Sequence, residues 1–236
     1  MPELRICGLV KSFGEKTAVD SLSFDVSAGE IVGLLGPNGA GKSTTFLCLA
    51  GLLRPTSGTF TWDGCELGAE RGQKIALIPE TPDLYPMLTV WEHLIFIAKS
   101  CRLASGWQSR AQQFLARFAL TEQRDTLGQA LSKGMKQKTL IAATLLADAP
   151  VMLLDEPMVG LDPLGQRELR DILVDLRARG TAVVISTHMI EQAQAICDRI
   201  VILKAGRAVA SGSFEQLRAQ VGGERSADDI FLELTR

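Results

Sequence analysis

The chain is poor in the residues that build metal cages, disulfide scaffolds or membrane spans. Its five cysteines (Cys7, Cys48, Cys65, Cys101 and Cys197) are scattered, form no C-x-x-C pair and are odd in number. This argues against a zinc site and a paired disulfide framework, and predicts buried, reduced thiols in a cytosolic protein. No apolar run reaches the ~18 residues that a membrane helix needs. The closest, Thr139 to Leu154, is cut by Asp148 and Pro150 and reads as helix, turn and buried strand. The opening M-P-E-L-R-I has no apolar signal region, so a cytosolic location is expected. An excess of charge is missing too. With 25 basic and 27 acidic residues and a net charge of −2, the chain lacks the basic balance that non-specific nucleic-acid binding wants. There is no internal repeat and no low-complexity tract.

What remains is ordinary globular composition, 46% hydrophobic and 22% charged, in a chain of 236 residues that can bury a large core as one or two domains. One stretch stands apart: I-V-G-L-L-G-P-N-G-A-G-K-S-T-T, from Ile31 to Thr45. An apolar strand stops at Gly36, a loop runs through Pro37, Asn38, Gly39, Ala40 and Gly41, and Lys42, Ser43 and Thr44 open an apolar-periodic helix (Phe46, Leu47, Leu49, Ala50). It contains G-x-x-x-x-G-K-[ST] between a strand and a helix. Glycines let backbone N–H groups approach phosphate oxygens, and the helix start adds its positive end. Lys42 can reach the terminal phosphates and the Ser43 hydroxyl can ligate Mg²⁺. The stretch predicts binding of a nucleoside triphosphate.

Ahead of this loop, Leu4 to Val10 and Leu22 to Val26 read as strands. After the helix, Gly58 to Gly64 alternates Phe60 and Trp62 and closes on an Asp-Gly turn. Together they suggest an antiparallel flap. Phe13, just before a glycine, either stacks on a purine or joins the core. Lys74 to Ile78 is a short strand, followed by the turn-rich loop from Glu80 to Pro86. From Thr89, a plausible N-cap, Val90, Leu94, Ile97 and Cys101 share one helical face, widened by Trp91, Ile95 and Phe96. That face is either buried or offered to a partner. A second helix is expected over Trp107 to Ala119, and a third opens at L-S-K-G-M-K-Q-K (Leu131 to Lys138) and runs to about Ala147.

Then P-V-M-L-L-D-E-P begins a buried strand at Val151 that ends in Asp155 and Glu156. Four apolar residues and an acid form a familiar companion to a phosphate loop, with the Asp holding Mg²⁺. Asp162 is expected to cap a helix whose apolar face is Leu169, Ile172, Leu173 and Leu176. Thr181 to Ser186 is a further buried strand, and His188 follows it. A lone His is often structural or solvated; at the carboxyl end of such a strand it can instead sense a γ-phosphate. Arg199 to Lys204 and Ala208 to Ser211 read as a strand pair, with helices around Phe214 to Ala219 and Asp228 to Leu234.

Across essentially the whole chain these features resemble the ATP-binding cassette of ABC transporters. The resemblance rests on their order: the phosphate loop, the signature-like Leu131-Ser132-Lys133-Gly134-Met135, the acid pair, the Gly160-Leu161-Asp162 loop and His188. It implies an α/β fold over residues 1–236: a P-loop NTPase core with a mainly parallel sheet, an antiparallel β flap (about 1–30 and 58–78) and a smaller helical subdomain (about 84–147). It further implies two cassettes, identical or paired, packed head to tail around two ATP molecules. Ser132 and the Gly134 backbone of one would cap the γ-phosphate held by the other, with Asp162 in the nucleotide-binding set. Glu156 would be the general base, Asp155 would act on Mg²⁺, His188 would contact the γ-phosphate and Phe13 would stack on adenine. A membrane permease would dock on the helical subdomain, placing the cassette on the cytoplasmic face of the membrane.

Two positions depart from the common pattern. Lys133 and Met135 replace a glycine and a glutamine of the usual L-S-G-G-Q, and Glu80 stands where a glutamine usually serves Mg²⁺ and the attacking water. Both variants, the chain's D-D-I-F-L-E-L end and the lack of an appended regulatory domain are similar to the type-2 exporter group. Two other readings are a non-transport ABC ATPase, which would want a coiled coil, zinc cysteines or a second cassette, and an ATP switch without turnover, which the acid Glu156 argues against.

Overall fold

A computed structural model describes residues 2–222 and 226–234. In chain order its main elements are β1 (Glu3–Phe13), β2 (Lys16–Ser27), β3 (Ile31–Leu35), α1 (Lys42–Leu49), β4 (Ser57–Trp62), β5 (Cys65–Glu66), β6 (Ile75–Ile78), α2 (Val90–Ser100), α3 (Trp107–Arg117) and α4 (Lys133–Leu146). There follow β7 (Val151–Asp155), α5 (Pro163–Ala178), β8 (Ala182–Thr187), α6 (Ile190–Ile196), β9 (Arg199–Lys204), β10 (Arg207–Gly212), α7 (Phe214–Val221) and α8 (Ala227–Leu234). The chain divides into two compact units, one of Met1–Leu77, Pro150–Glu156 and Leu173–Arg236, the other of Ile78–Ala149 and Pro157–Ile172. Among the described residues no helix is long and apolar enough to cross a membrane.

The first unit is built on sheets. A six-stranded sheet has the order β10-β9-β3-β8-β7-β6, and a four-stranded one has β2-β1-β4-β5. In the larger, β3 pairs in parallel with β8 and β9, β7 pairs in parallel with β8, and β10 runs antiparallel to β9. The smaller is antiparallel throughout, as the alternation in β2 and β4 predicts. Alternate residues of the larger sheet enter different cores. Val32, Leu34, Val201 and Leu203 pack with Phe46 and Leu49 of α1 and with Leu4, Ile6 and Phe60 of the smaller sheet. Leu35, Ile200 and Ile202 pack with Ile190 of α6, Leu217 of α7 and Ile230 of α8. A sheet covered on both faces needs strands without polar alternation, hence I-V-G-L-L and V-M-L-L. Arg199 locks one strand start by pairing with Glu30 at 2.8 Å and Asp25 at 3.0 Å, and the Glu30 bond raises its already high pKa.

The second unit is helical. Thr89 caps α2: its side chain accepts from the Glu92 backbone N–H, while the Glu92 carboxylate accepts from the Thr89 N–H. Those bonds, the backbone one first, hold the Glu92 carboxyl below its ordinary range. In α5, which both units share, Leu169, Ile172, Leu173 and Leu176 are buried as their spacing predicts.

Several expectations need correction. Residues 75–78, grouped by sequence with the flap, form β6 of the larger sheet. The buried face of α2 is Val90, His93, Leu94 and Ala98; Cys101 and Phe96 are exposed, because the helix turns past them. Cys7, Cys65 and Cys101 are exposed rather than buried. Cys48 is buried, and burial pushes the Cys197 thiol up to about 12. Helix α6 carries no strong amphipathic signal in its seven residues and was not expected.

Leu153, fully buried in β7, should cost about 2–5 kcal/mol of stability when cut to Ala. Exposed Val209→Ala should stay within about 0.5 kcal/mol. Urea denaturation midpoints compare the two.

Candidate nucleotide site

Parallel pairing aligns the carboxyl ends of three strands. Leu35 of β3 lies opposite Thr187 of β8, and Asp155 of β7 lies opposite Ser186. The loop after β3, the acid pair after β7 and His188 after β8 therefore leave the sheet at one edge, where ligands of such sheets bind.

The first of these segments is the glycine loop. Gly41 precedes α1 with φ +104, and a Cβ there would sit 2.5 Å from the Ala18 carbonyl oxygen, so only glycine lets the loop close this tightly. No side chain caps α1 and its first turn has no acid, which leaves its amide end available to an anion. Pro37, Asn38 and Gly39 are exposed, while Gly36, Ala40 and Gly41 are buried. Lys42 is buried, and its ammonium donates to the carbonyls of Gly36 at 2.7 Å and Pro37 at 3.3 Å. Ser43 is exposed on the first turn and Thr44 is half-buried.

The acid pair faces this lysine. Asp155 and Glu156 are both buried, and Glu156 Oε1 lies 4.0 Å from Lys42 Nζ. His188 Nδ1–H donates to the same oxygen at 3.0 Å, although its ring is half-exposed. Glu156 itself has φ +46, a left-handed backbone that a non-glycine residue seldom adopts outside functional sites.

Sequence reasoning passed over Ser186. This fully buried residue donates through its hydroxyl to Asp155 Oδ1 and accepts from the Glu156 backbone N–H at 3.0 Å, while its carbonyl accepts from the same N–H at 3.2 Å. The available signal was a hydroxyl pair, Ser186 and Thr187, closing the apolar run of β8, with Ser186 in register with the acid of β7.

The remaining predicted residues fall elsewhere. Phe13 is half-exposed at the end of β1, with Lys11 Nζ 4.7 Å from its ring centroid, so the core alternative is excluded. In the second unit, Glu80 is exposed in a bend after β6. Ser132 is the exposed N-cap of α4 and accepts from the Met135 N–H at 3.3 Å. A side chain at Gly134 would run into the Gly160 carbonyl at 2.9 Å, so the signature-like turn and the 160–162 loop touch through bare backbone. Asp162 caps α5 through Gly165 N–H at 3.2 Å, and Lys138, 2.8 Å away, holds its carboxyl below the ordinary range.

If Ser186 sets the acid pair, Ser186→Ala should lower ATP turnover about tenfold or more, the scale of a lost hydrogen bond to a charged group. Nucleotide affinity should change less than threefold. Turnover and equilibrium nucleotide binding measured on one preparation check this.

The ABC transporter family model matches residues 19–159. The fluoroquinolones export ATP-binding protein of Mycobacterium tuberculosis is 40% identical over 220 residues, covering 91% of this chain and 72% of the relative. A solved ATP binding subunit of an ABC transporter is 36% identical, with a TM-score of 0.94 over 99% of both chains. A dimeric ATP-binding cassette in a post-hydrolysis state, bound to ADP and Pi, is 28% identical with a TM-score of 0.80, over 89% of this chain and 98% of that one. Motif order, sheet register and these likenesses agree, and the chain belongs to the ABC transporter family as one of its ATP-hydrolysing cassettes.

Proposed function

We propose that two copies of this cassette, or one copy and a similar chain, close head to tail on two ATP molecules and drive export through a separate membrane permease, from the cytoplasmic face. One observation carries the hydrolytic reading: Lys42 and His188 converge on Glu156 Oε1 at the carboxyl edge of the sheet. Lys42 and the amides before α1 hold the phosphates. Glu156 takes a proton from the attacking water as ATP and H₂O become ADP and phosphate, and His188 keeps that carboxylate aimed while contacting the γ-phosphate. Phe13 offers an open ring face to adenine.

The residues present suit Mg²⁺. An exposed serine hydroxyl and a buried carboxylate are hard oxygen donors, and this ion is usually held by few protein ligands together with substrate phosphates. Ser43 and Asp155 would hold it, with Glu80 added from the family resemblance, and when bound it neutralises charge on the phosphate oxygens.

The composite site is supported by the dimeric cassette with ADP and Pi. In the proposed dimer of this chain, Ser132, Gly134 and the Asp162 loop of one copy would meet the nucleotide of the other. Export is supported by the relative that bears that word in its name. The permease is proposed to meet the apolar face that Tyr85, Met87 and Phe96 expose.

Glu156→Gln keeps the shape and loses the base. It should bind ATP, lose about 10²–10⁴-fold in turnover and accumulate as ATP-bound dimer on a sizing column. Turnover near wild type would remove Glu156 from this role.

Action across the dimer has its own test. Lys42→Ala and Ser132→Arg chains should each be nearly inactive as homodimers. A doubly tagged heterodimer of the two holds one doubly damaged site and one intact site. Recovered hydrolysis, or ATP trapped at one site per dimer, is expected; the absence of both would sink the head-to-tail arrangement.

A further inference from the structure

Of the two histidines in the chain, the mechanism uses only His188. His93 is buried on α2, and both its ring nitrogens are engaged. Nδ1 lies 2.7 Å from the Thr89 carbonyl oxygen, which can only accept, so Nδ1 carries the proton. Nε2 accepts from the Tyr85 backbone N–H at 3.0 Å. Together these two bonds require a neutral imidazole in the Nδ1–H form. The Tyr85 ring stacks on the imidazole with centroids 6.1 Å apart and meets Phe96 edge-on at 5.4 Å. Behind the loop, Gly128 N–H donates to the Leu88 carbonyl at 2.8 Å and Gln129 N–H to the Pro86 carbonyl at 3.1 Å. The loop is therefore pinned at Pro86 and Leu88 by backbone, the Leu88 N–H closes the turn onto the Tyr85 carbonyl at 3.1 Å, and the Tyr85 N–H is held by one side chain, His93.

We propose that His93 is the positioning residue that presents Tyr85 and Met87 on the helical unit, and that its protonation withdraws that face, so permease docking weakens as the cytoplasm acidifies. The link to docking rests on the permease reading above; the latch itself does not. Protonation places an N–H on Nε2 opposite the N–H of Tyr85, and two donors cannot share that bond. The surroundings offer few competing charges. On α2 the neighbouring ionisable group is Glu92, whose carboxylate is engaged by Thr89. The loop from 84 to 88 contributes only the Tyr85 phenol; in the segment behind it Arg124, over the Trp91 ring, and Asp125 are exposed, and 126–131, T-L-G-Q-A-L, contributes none. On α4, which packs against α2, Lys138 is paired with Asp162 at 2.8 Å, and buried Gln137, Ile141 and Leu145 are not ionisable.

The test uses the full chain. Hydrogen exchange of the Tyr85 amide is followed by NMR and divided by the intrinsic rate at each pH; Tyr85 is the sole tyrosine, so its ring signals are an unambiguous second probe. At pH 7.5, His93→Leu should exchange Tyr85 at least tenfold faster than wild type. His93→Gln, whose amide oxygen can accept the same N–H without titrating, should stay within threefold. Between pH 7.5 and 5.5 wild-type protection should fall several-fold while the Gln variant's stays flat. A merely space-filling histidine gives neither the rescue by Gln nor the pH dependence. Equal protection in wild type and the Leu variant, or a flat wild-type profile, overturns the latch. No permease is present, so failure of the docking reading leaves this measurement untouched. That reading fails separately if Tyr85→Ala with Met87→Ala leaves the chain's recovery with solubilised membranes unchanged.

Discussion

A costly arrangement in this protein is a pair of adjacent carboxylates buried at the end of one strand. Asp155 and Glu156 are both largely out of solvent, and a buried charge without compensation costs several kcal/mol. Three groups relieve it. The Ser186 hydroxyl donates to Asp155, the Lys42 ammonium stands 4.0 Å from Glu156, and His188 donates to Glu156 at 3.0 Å. The left-handed backbone at Glu156 breaks the strand's alternation, and the Ser186 hydroxyl and carbonyl hold the peptide in that conformation through the Glu156 N–H. Strain of this kind is worth on the order of 1–3 kcal/mol and persists where the surroundings over-determine it.

Much of the larger sheet follows from supplying those three groups. Ser186 meets Asp155 only because β7 and β8 are parallel and in this register; a slip of one residue would turn the hydroxyl to the other face. Lys42 arrives from the other side of β8, at the start of α1 after the loop from β3, whose last residue pairs with Thr187. A sheet with both faces buried tolerates such a register without a polar stripe, since its strands are apolar on both sides. The two clusters that share alternate residues of β3 and β9 are the evidence that both faces are in use.

How much of this was legible in the chain depended on whether the information was local. The phosphate loop, the caps at Thr89 and Asp162 and the apolar face of α5 are written in neighbouring residues, and the structure has each of them. The position of β6 is not: four apolar residues after a turn suit either sheet, and only pairing decides between them. Ser186 was hidden for the same reason, because its meaning comes from a residue 31 positions away. His93 was left out of the helical stripe drawn through Val90, Leu94, Ile97 and Cys101, because a titratable residue on an apolar face reads as an exception until its two partners are seen. Phe13 carried no local signal that separates a core ring from an open one; exposure settled that, with the ring half in solvent.

The departures from the common signature also become physical statements. Lys133 is the first residue of α4, after a Ser132 N-cap, and a helical position accepts any side chain that can point outward. Its alkyl chain lies beside Gly160, where a Cβ would meet Lys133 Cε at 3.7 Å, an ordinary contact. A glycine at 133 is thus not demanded by backbone contact. Gly134 has no such freedom, because the Gly160 carbonyl occupies the space of its side chain. The turn has a glycine where backbone contact demands one and a lysine where helix geometry leaves the choice open. That lysine adds a positive charge to the first turn of a helix whose serine cap faces solvent, on the unit whose Asp162 is already committed to Lys138.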